Sequence, residues 1–203
     1  MNQTASVAIH NLKETIIHES LKLFSLKGFL STSMQDILKA AATSKGGFYN
    51  HFQSKEELFF HVLDQARRIW RERNLTGLDS ISDPIEKIKQ LLVNYRDLYL
   101  KDSDNFPGGC IFITLLTELN DQRPHLAGEI LQGFNGLKKL LKRNLERGKT
   151  LRRLPPETDT DAITEMLFSG MIGASVIYKA EKSSPGLDAA MNALIAHIVQ
   201  LQR

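Results

Sequence analysis

Apolar residues recur along this chain at helical spacing. Ile16, Ser20, Leu23 and Phe24 stand at i, i+4, i+7 and i+8, which predicts one face of a helix ending at Gly28. Met34, Ile37, Leu38 and Ala41 repeat the pattern and predict a second helix. Its expected opening is Thr32 as cap, with Gln35 reaching back to complete a capping box. Ser44 caps a third, very short helix that turns Phe48 and Phe52 inward. A further box, Ser54 to Glu57, starts a long helix that runs to Arg73 or beyond. Only Ala42, Thr43 and Ser44 separate the second helix from the third, and two helices joined by so tight a turn form a helix-turn-helix.

Past residue 75 the elements lengthen. Asp83 caps a helix with Pro84 at its first position and Glu86 at its third, expected to reach about Lys101. "DSDNFPGG", 102–109, reads as a loop. Helices follow at about 110–120, 124–148, 158–181 and 185–202, punctuated by Pro155-Pro156 and by Ser184-Pro185-Gly186. No alternating strand pattern and no internal repeat occurs. The expected fold is all-α with about nine helices. A three-helix head spans 10–68, with the helix-turn-helix at about 33–52, and a larger helical body spans 69–203.

Composition narrows the function classes. A hydrophobic share of 42% and a charged share of 24% are those of an ordinary globular protein. No apolar run approaches the ~20 residues that span a bilayer, and the first residues lack a basic patch followed by an apolar core. No membrane partner is therefore expected. The single cysteine, Cys110, excludes an internal disulfide and fits a reducing cytoplasm. The six histidines and one cysteine show no metal-ligand spacing, and no glycine loop is built to cradle phosphate. Glu56-Glu57 and Asp159/Asp161 read as helix-start carboxylates. No enzyme, metal or cofactor is expected. The net charge of +3 is too small to point to nucleic acid.

The chemistry lies in "SKGGFYNHFQSKEEL", Ser44 to Leu58. Glycine in a helix costs about 1 kcal/mol relative to alanine, so Gly46 and Gly47 weaken the third helix. A helix that enters the major groove needs its first residues and backbone close to base edges, and glycine removes the bulk in the way. Lys45 and Lys55 offer ammonium groups to phosphates. The start of the helix at Lys55 adds free amides and a positive dipole end. Tyr49, Asn50 and His51 bring donors to the same surface. One residue at a time, a glycine-rich turn with solvated lysines explains the stretch better.

The whole of Thr15 to Leu63 resembles the DNA-binding head of TetR-family transcriptional regulators. The matching positions are Ile16, Leu23-Phe24, Gly28-Phe29, Thr32, Asp36-Ile37, Ala40-Ala41, Ser44-Lys45-Gly46, Tyr49, His51-Phe52 and Ser54-Lys55-Glu56. The resemblance implies a homodimer on an operator in double-stranded DNA. It implies phosphate contacts from Tyr49 and Lys55, base or groove contacts from Ser44 to Gly47 and Asn50, and backbone contacts from Thr32, Ser33 and Gln35. Two positions depart from the pattern. Ala42-Thr43 stands where the family usually has Gly-Val, and Leu38 replaces a usual alanine. If position 42 is left-handed, its alanine costs about 1–2 kcal/mol.

For the body, the resemblance implies a small-molecule effector and a dimer interface made by the last two helices. Met166, Gly170, Gly173, Ile177, Met191, Leu194 and Ile198 are the candidate interface residues, and Gly170, Gly173 and Ala174 allow close helix approach. A helix apolar on more than one face is either buried in its own fold or shared with a partner, and both readings stand. Pocket candidates are Trp70, Tyr95, Tyr99, Phe106, Cys110, Phe112, Thr114, Phe134, Met166 and Phe168, though taken singly each reads better as core. Cys110 begins a helix, where the dipole favours a thiolate, so a sensor of electrophiles or oxidants stands beside a small buried hydrophobe. The remaining alternative is a helical binding protein that regulates no promoter. The basic run from Lys138 to Arg153 reads as a solvated helix face.

Overall fold

A computed structural model describes residues 3–202, with side chains from residue 12 onward. Nine α-helices and no strand occur among these residues. They are α1 (Gln3–Lys27), α2 (Met34–Ala40), α3 (Lys45–Tyr49), α4 (Lys55–Asn74), α5 (Pro84–Asn94), α6 (Ile111–Leu119), α7 (Pro124–Thr150), α8 (Thr160–Glu181) and α9 (Ser184–Gln200). A 3-10 turn at Leu78–Ser80 precedes α5, which runs on as a π-helical stretch, Tyr95–Leu100.

Local chemistry sets the ends. The Asp83 carboxylate accepts the Ile85 and Glu86 amides at 2.8 and 3.3 Å, with Pro84 in the first turn of α5. Asp159 does the same for Asp161 and Ala162 at the start of α8. Gly28, at φ 87°, ends α1 in the left-handed region that glycine enters freely. The opening of α2 differs from expectation by one residue. Ser33 is the cap and Asp36 completes the box, whereas Thr32 is fully buried and donates its hydroxyl to the Gly28 carbonyl at 2.6 Å.

The chain divides into two compact units. The first holds the residues up to Ile69 together with Ser103–Ala127, a segment that a boundary at residue 68 assigns to the body. Its core contains Ile16, Phe24, Ile37, Phe48, Phe52 and Phe59, all buried. Phe24, Phe29 and Phe59 meet edge to face at 5.5 and 5.2 Å, a favourable ring geometry. The loop before α6 closes on α1 through Ser25, whose hydroxyl accepts the Gly108 amide at 3.0 Å and donates to the Gly109 carbonyl at 3.2 Å. A side chain at Gly108 would run into the Ser25 carbonyl, so this approach requires glycine.

The second unit holds Trp70–Asp102 and the chain from Gly128 onward. Tyr95 shares a 2.8 Å hydrogen bond with Ser175, whose hydroxyl also lies 2.7 Å from the Met171 carbonyl. Arg96 bonds Asn192 at 2.7 Å and Lys101 bonds Asp188 at 3.2 Å, which ties the π-helical stretch to α9. Of the candidate interface residues, Met191 and Ile198 are fully buried within the chain and are corrected to core. Gly170 faces inward too, since a Cβ there would press on Leu194 at 2.8 Å. Gly173 faces open space and Ile177 is 48% exposed.

Candidate nucleic-acid interface

The outer edge of the head consists of α2, a tight turn and α3. At the start of α2, Ser33 accepts the Asp36 amide at 3.1 Å and Asp36 accepts the Ser33 amide at 2.9 Å. These bonds to Ser33, with Lys27 3.2 Å away, hold the Asp36 carboxyl at a pKa of about 2. Ala42 takes φ 48°, the left-handed conformation considered from the sequence. The Thr43 amide bonds the Leu38 carbonyl at 3.0 Å and the Ala42 amide bonds Lys39 at 3.2 Å, the pairing of a Schellman turn. The turn therefore closes without glycine, at a cost of about 1–2 kcal/mol.

Ser44 caps α3 by accepting the Gly47 amide at 3.1 Å, while Phe48 and Phe52 anchor the helix from below. This leaves Ser44, Lys45, Gly46, Tyr49 and Asn50 exposed, with Ser33 and Gln35 beside α2 exposed as well. Among the described residues the Lys45 ammonium and the Asn50 side-chain carboxamide have no bonding partner. The two glycines differ. A Cβ on Gly46 would meet nothing nearer than Ser44 Oγ at 3.8 Å, so its bare backbone faces outward. A Cβ on Gly47 would strike the Thr43 hydroxyl, so the fold itself demands glycine there. His51 is half-buried, its ring 6.4 Å from Phe52.

Two expected contacts lie elsewhere. The Thr32 side chain is buried and cannot reach a phosphate in this conformation. Lys55 turns inward: its ammonium donates to the Phe29 and Thr32 carbonyls at 2.8 and 2.9 Å and sits 4.4 Å over the Phe29 ring. Burial pulls its pKa below the usual lysine value, with the Glu118 carboxylate pulling the other way. Glu118 is a residue that sequence reasoning missed. From α6 it accepts the amides of Phe29, Leu30 and Ser31 at 2.6, 3.1 and 3.2 Å. A side chain at Gly28 would collide with that carboxylate. Three successive amides bound to one anion, with the next carbonyls bound to Lys55, clamp the α1–α2 turn from both sides.

The profile described as "Bacterial regulatory proteins, tetR family" matches residues 16–62, and "Tetracyclin repressor-like, C-terminal domain" matches residues 84–194. The chain belongs to the TetR family. It is thus a helix-turn-helix DNA-binding regulator of transcription. A Lactococcus lactis protein, an uncharacterized HTH-type transcriptional regulator, is 32% identical over 138 residues, which cover 68% of this chain and 69% of that protein. The transcriptional repressor DhaR of Mycobacterium sp. (strain GP1) is 24% identical over 178 residues, 87% of each chain. The crystal structure of a TetR transcriptional regulator from Chloroflexus aurantiacus superimposes with a TM-score of 0.88 at 26% identity, covering 97% of this chain and 98% of that one.

In this TetR-family chain the ten pocket candidates fall in both units. Phe106, Cys110, Phe112 and Thr114 belong to the first, and Trp70, Tyr95, Tyr99, Phe134, Met166 and Phe168 to the second. Tyr95 and Tyr99 are buried with their rings 5.5 Å apart, and Phe134 meets Phe168 edge-on at 5.4 Å. Cys110, just before α6, is 5% exposed, the setting of a small buried hydrophobe. Within the second unit a groove of about 380 Å³ lies among Leu78, Lys87, Ile88, Leu91, Arg143 and Arg147, and none of the ten lines it. Among the described residues no three His, Cys, Asp or Glu side chains gather as metal ligands, and no helix is long and apolar enough to cross a membrane.

Proposed function

We propose that this protein is a homodimeric repressor that holds a pseudo-palindromic operator in double-stranded DNA and releases it when a small-molecule effector binds. The observation that carries the reading is the exposed edge of α3, where Lys45, Tyr49 and Asn50 stand beside the bare backbone of Gly46. Lys45 and Tyr49 address phosphates, which gives affinity without sequence information. Ser44 and Asn50 address base edges, with Asn matched to adenine in the major groove. Ser33 and Gln35 reach the DNA backbone from α2. Lys55 acts from within, holding the α1–α2 turn so that α2 and α3 keep their places.

An exposed apolar face in the second unit supports the dimer. Gly173, Val176 and Ile177 of α8 and Ala193, Ala196 and Val199 of α9 recur at helical spacing and are all exposed. A second copy covering this face sets two α3 helices about 34 Å apart, one turn of DNA. The effector acts by binding one separation of the two heads better than the other, since only differential affinity shifts an equilibrium. Operator binding places the protein in the cytoplasm.

Selection from random double-stranded DNA tests this reading. The expected result is one enriched pseudo-palindrome, bound by a dimer in light scattering. Failure to enrich any palindrome overturns it. An Ile177→Asp variant is expected to become monomeric and to lose the operator together with dimerisation.

A further inference from the structure

We propose that the groove between α5 and α7 in the second unit is a site for an amphipathic anion: an oxyanion head, carboxylate or phosphate monoester, on an apolar chain. Its floor is apolar, formed by Leu78, Ile88 and Leu91, which are 8%, 1% and 2% exposed. Its walls carry Lys87, Arg143 and Arg147, against one acid, Asp79. Arg143 and Arg147 lie one turn apart on α7 and so share a face. None of the three cations has an ion-pair partner among the described residues.

The neighbouring basic residues behave differently. Lys138 and Lys142 on the same helix are paired with Glu165 and Asp161 at 2.7 and 2.6 Å, and Arg153 with Asp83 at 2.5 Å. Three basic residues near the groove are thus ion-paired, whereas the three in its walls are not. Lys139 and Arg152 also have no ion-pair partner among the described residues, but neither lines the groove. Concavity, a buried apolar base and two exposed arginines one turn apart at its rim together describe a small-molecule site, and about 380 Å³ falls in the ~300–1,000 Å³ range such sites occupy. Arginine forks bind carboxylate or phosphate in a bidentate way, and the apolar floor offers a surface for an attached chain. A neutral amphipath offers the cations no counter-charge, and a cationic one is repelled.

This inference rests on the regulator reading only for its consequence, that the amphipathic anion is the effector. Calorimetry on the full chain with sodium decanoate, decyl phosphate, decanol and decyltrimethylammonium tests the site. At least one of the two anions is expected to bind at least tenfold more tightly than decanol, and the cation not at all. The anion that binds better identifies the head group. Arg143→Glu/Arg147→Glu is expected to lose at least tenfold in affinity with an unchanged melting profile, whereas Lys139→Glu keeps it. Lys87→Glu gives a second, independent reading. Absence of anion binding, equal binding of decanol, or equal loss in Lys139→Glu overturns the site. In a separate titration, saturating anion is expected to weaken operator binding at least tenfold in the wild type and not in the double variant, and no such change overturns the effector role. Failure of the ligand-free wild type to bind any operator defeats the regulator reading alone, since the calorimetric result stands by itself.

Discussion

The outer edge of the head and the base of the same head are built from similar polar residues arranged to opposite ends. On the outer edge, side-chain bonds are short in sequence: Ser33 with Asp36, Ser44 with Gly47. They complete the helix starts locally and leave Lys45, Tyr49 and Asn50 facing out. At the base, bonds span the chain, with Glu118 reaching amides 87 to 89 residues earlier and Lys55 reaching carbonyls 23 and 26 residues earlier. Lys45 and Lys55 flank one short stretch, yet the first is available to a phosphate and the second is bound to its own fold. An edge capped by its own neighbours stays presentable to DNA, while a base joined by distant contacts holds that edge in position.

The comparison breaks most directly at Glu118. Glu118→Ala is expected to cost about 2–3 kcal/mol in urea unfolding, because three amides lose a charged acceptor at once. Glu118→Gln keeps an acceptor oxygen and is expected to cost less. A loss below about 0.5 kcal/mol in Glu118→Ala means that water replaces the carboxylate and the clamp is decorative.

The two lysines sharpen it. Lys55→Met is expected to lower stability by about 1–2 kcal/mol, since the Phe29 and Thr32 carbonyls lose a charged donor, and to leave the salt dependence of operator binding unchanged. Lys45→Ala is expected to leave stability within about 0.5 kcal/mol. Its operator affinity falls across all sequences, and the slope of log K against log salt becomes shallower by about 0.9. The reverse assignment of these two effects, read from chemical denaturation and filter binding, breaks the contrast.

Smaller effects belong to the outer edge alone. Ala42→Gly is expected to raise stability by about 0.5–1 kcal/mol, the left-handed penalty removed less the extra freedom glycine gives the unfolded chain. Asp36 titrates at a pKa of about 2 in the fold against the ordinary 3.8. Its contribution is therefore present above about pH 4 and lost as the pH falls toward about 2. Asp36→Asn is expected to flatten acid unfolding in that window, as followed by circular dichroism.

Much of the head was legible from neighbours in sequence. Ser44 as a cap and Phe48 and Phe52 as anchors follow from chemistry that acts within a few residues, as does the Asp83-Pro84 start of α5 in the second unit. Thr32 and Ser33 were confused because both can cap a helix, and only the burial of Thr32 against Gly28 separates them. Met191 and Ile198 read as interface residues because an all-round apolar helix does not say which face meets its own fold. Lys55 was read outward because a lysine at a helix start, in a stretch resembling the family, implies a phosphate contact, and Glu118, in "LLTELND", gave no signal.

The sequence by itself determined the all-α fold, the helix-turn-helix and the family, because periodicity and caps are local and the matching positions keep fixed spacings. Only the tertiary structure decided which of two identical side chains faces outward, which faces of α8 and α9 stay open, and which cations are left unpaired. The physical reason is that a polar or apolar group is satisfied by whatever lies beside it in space, and those partners are drawn from residues far apart in the chain.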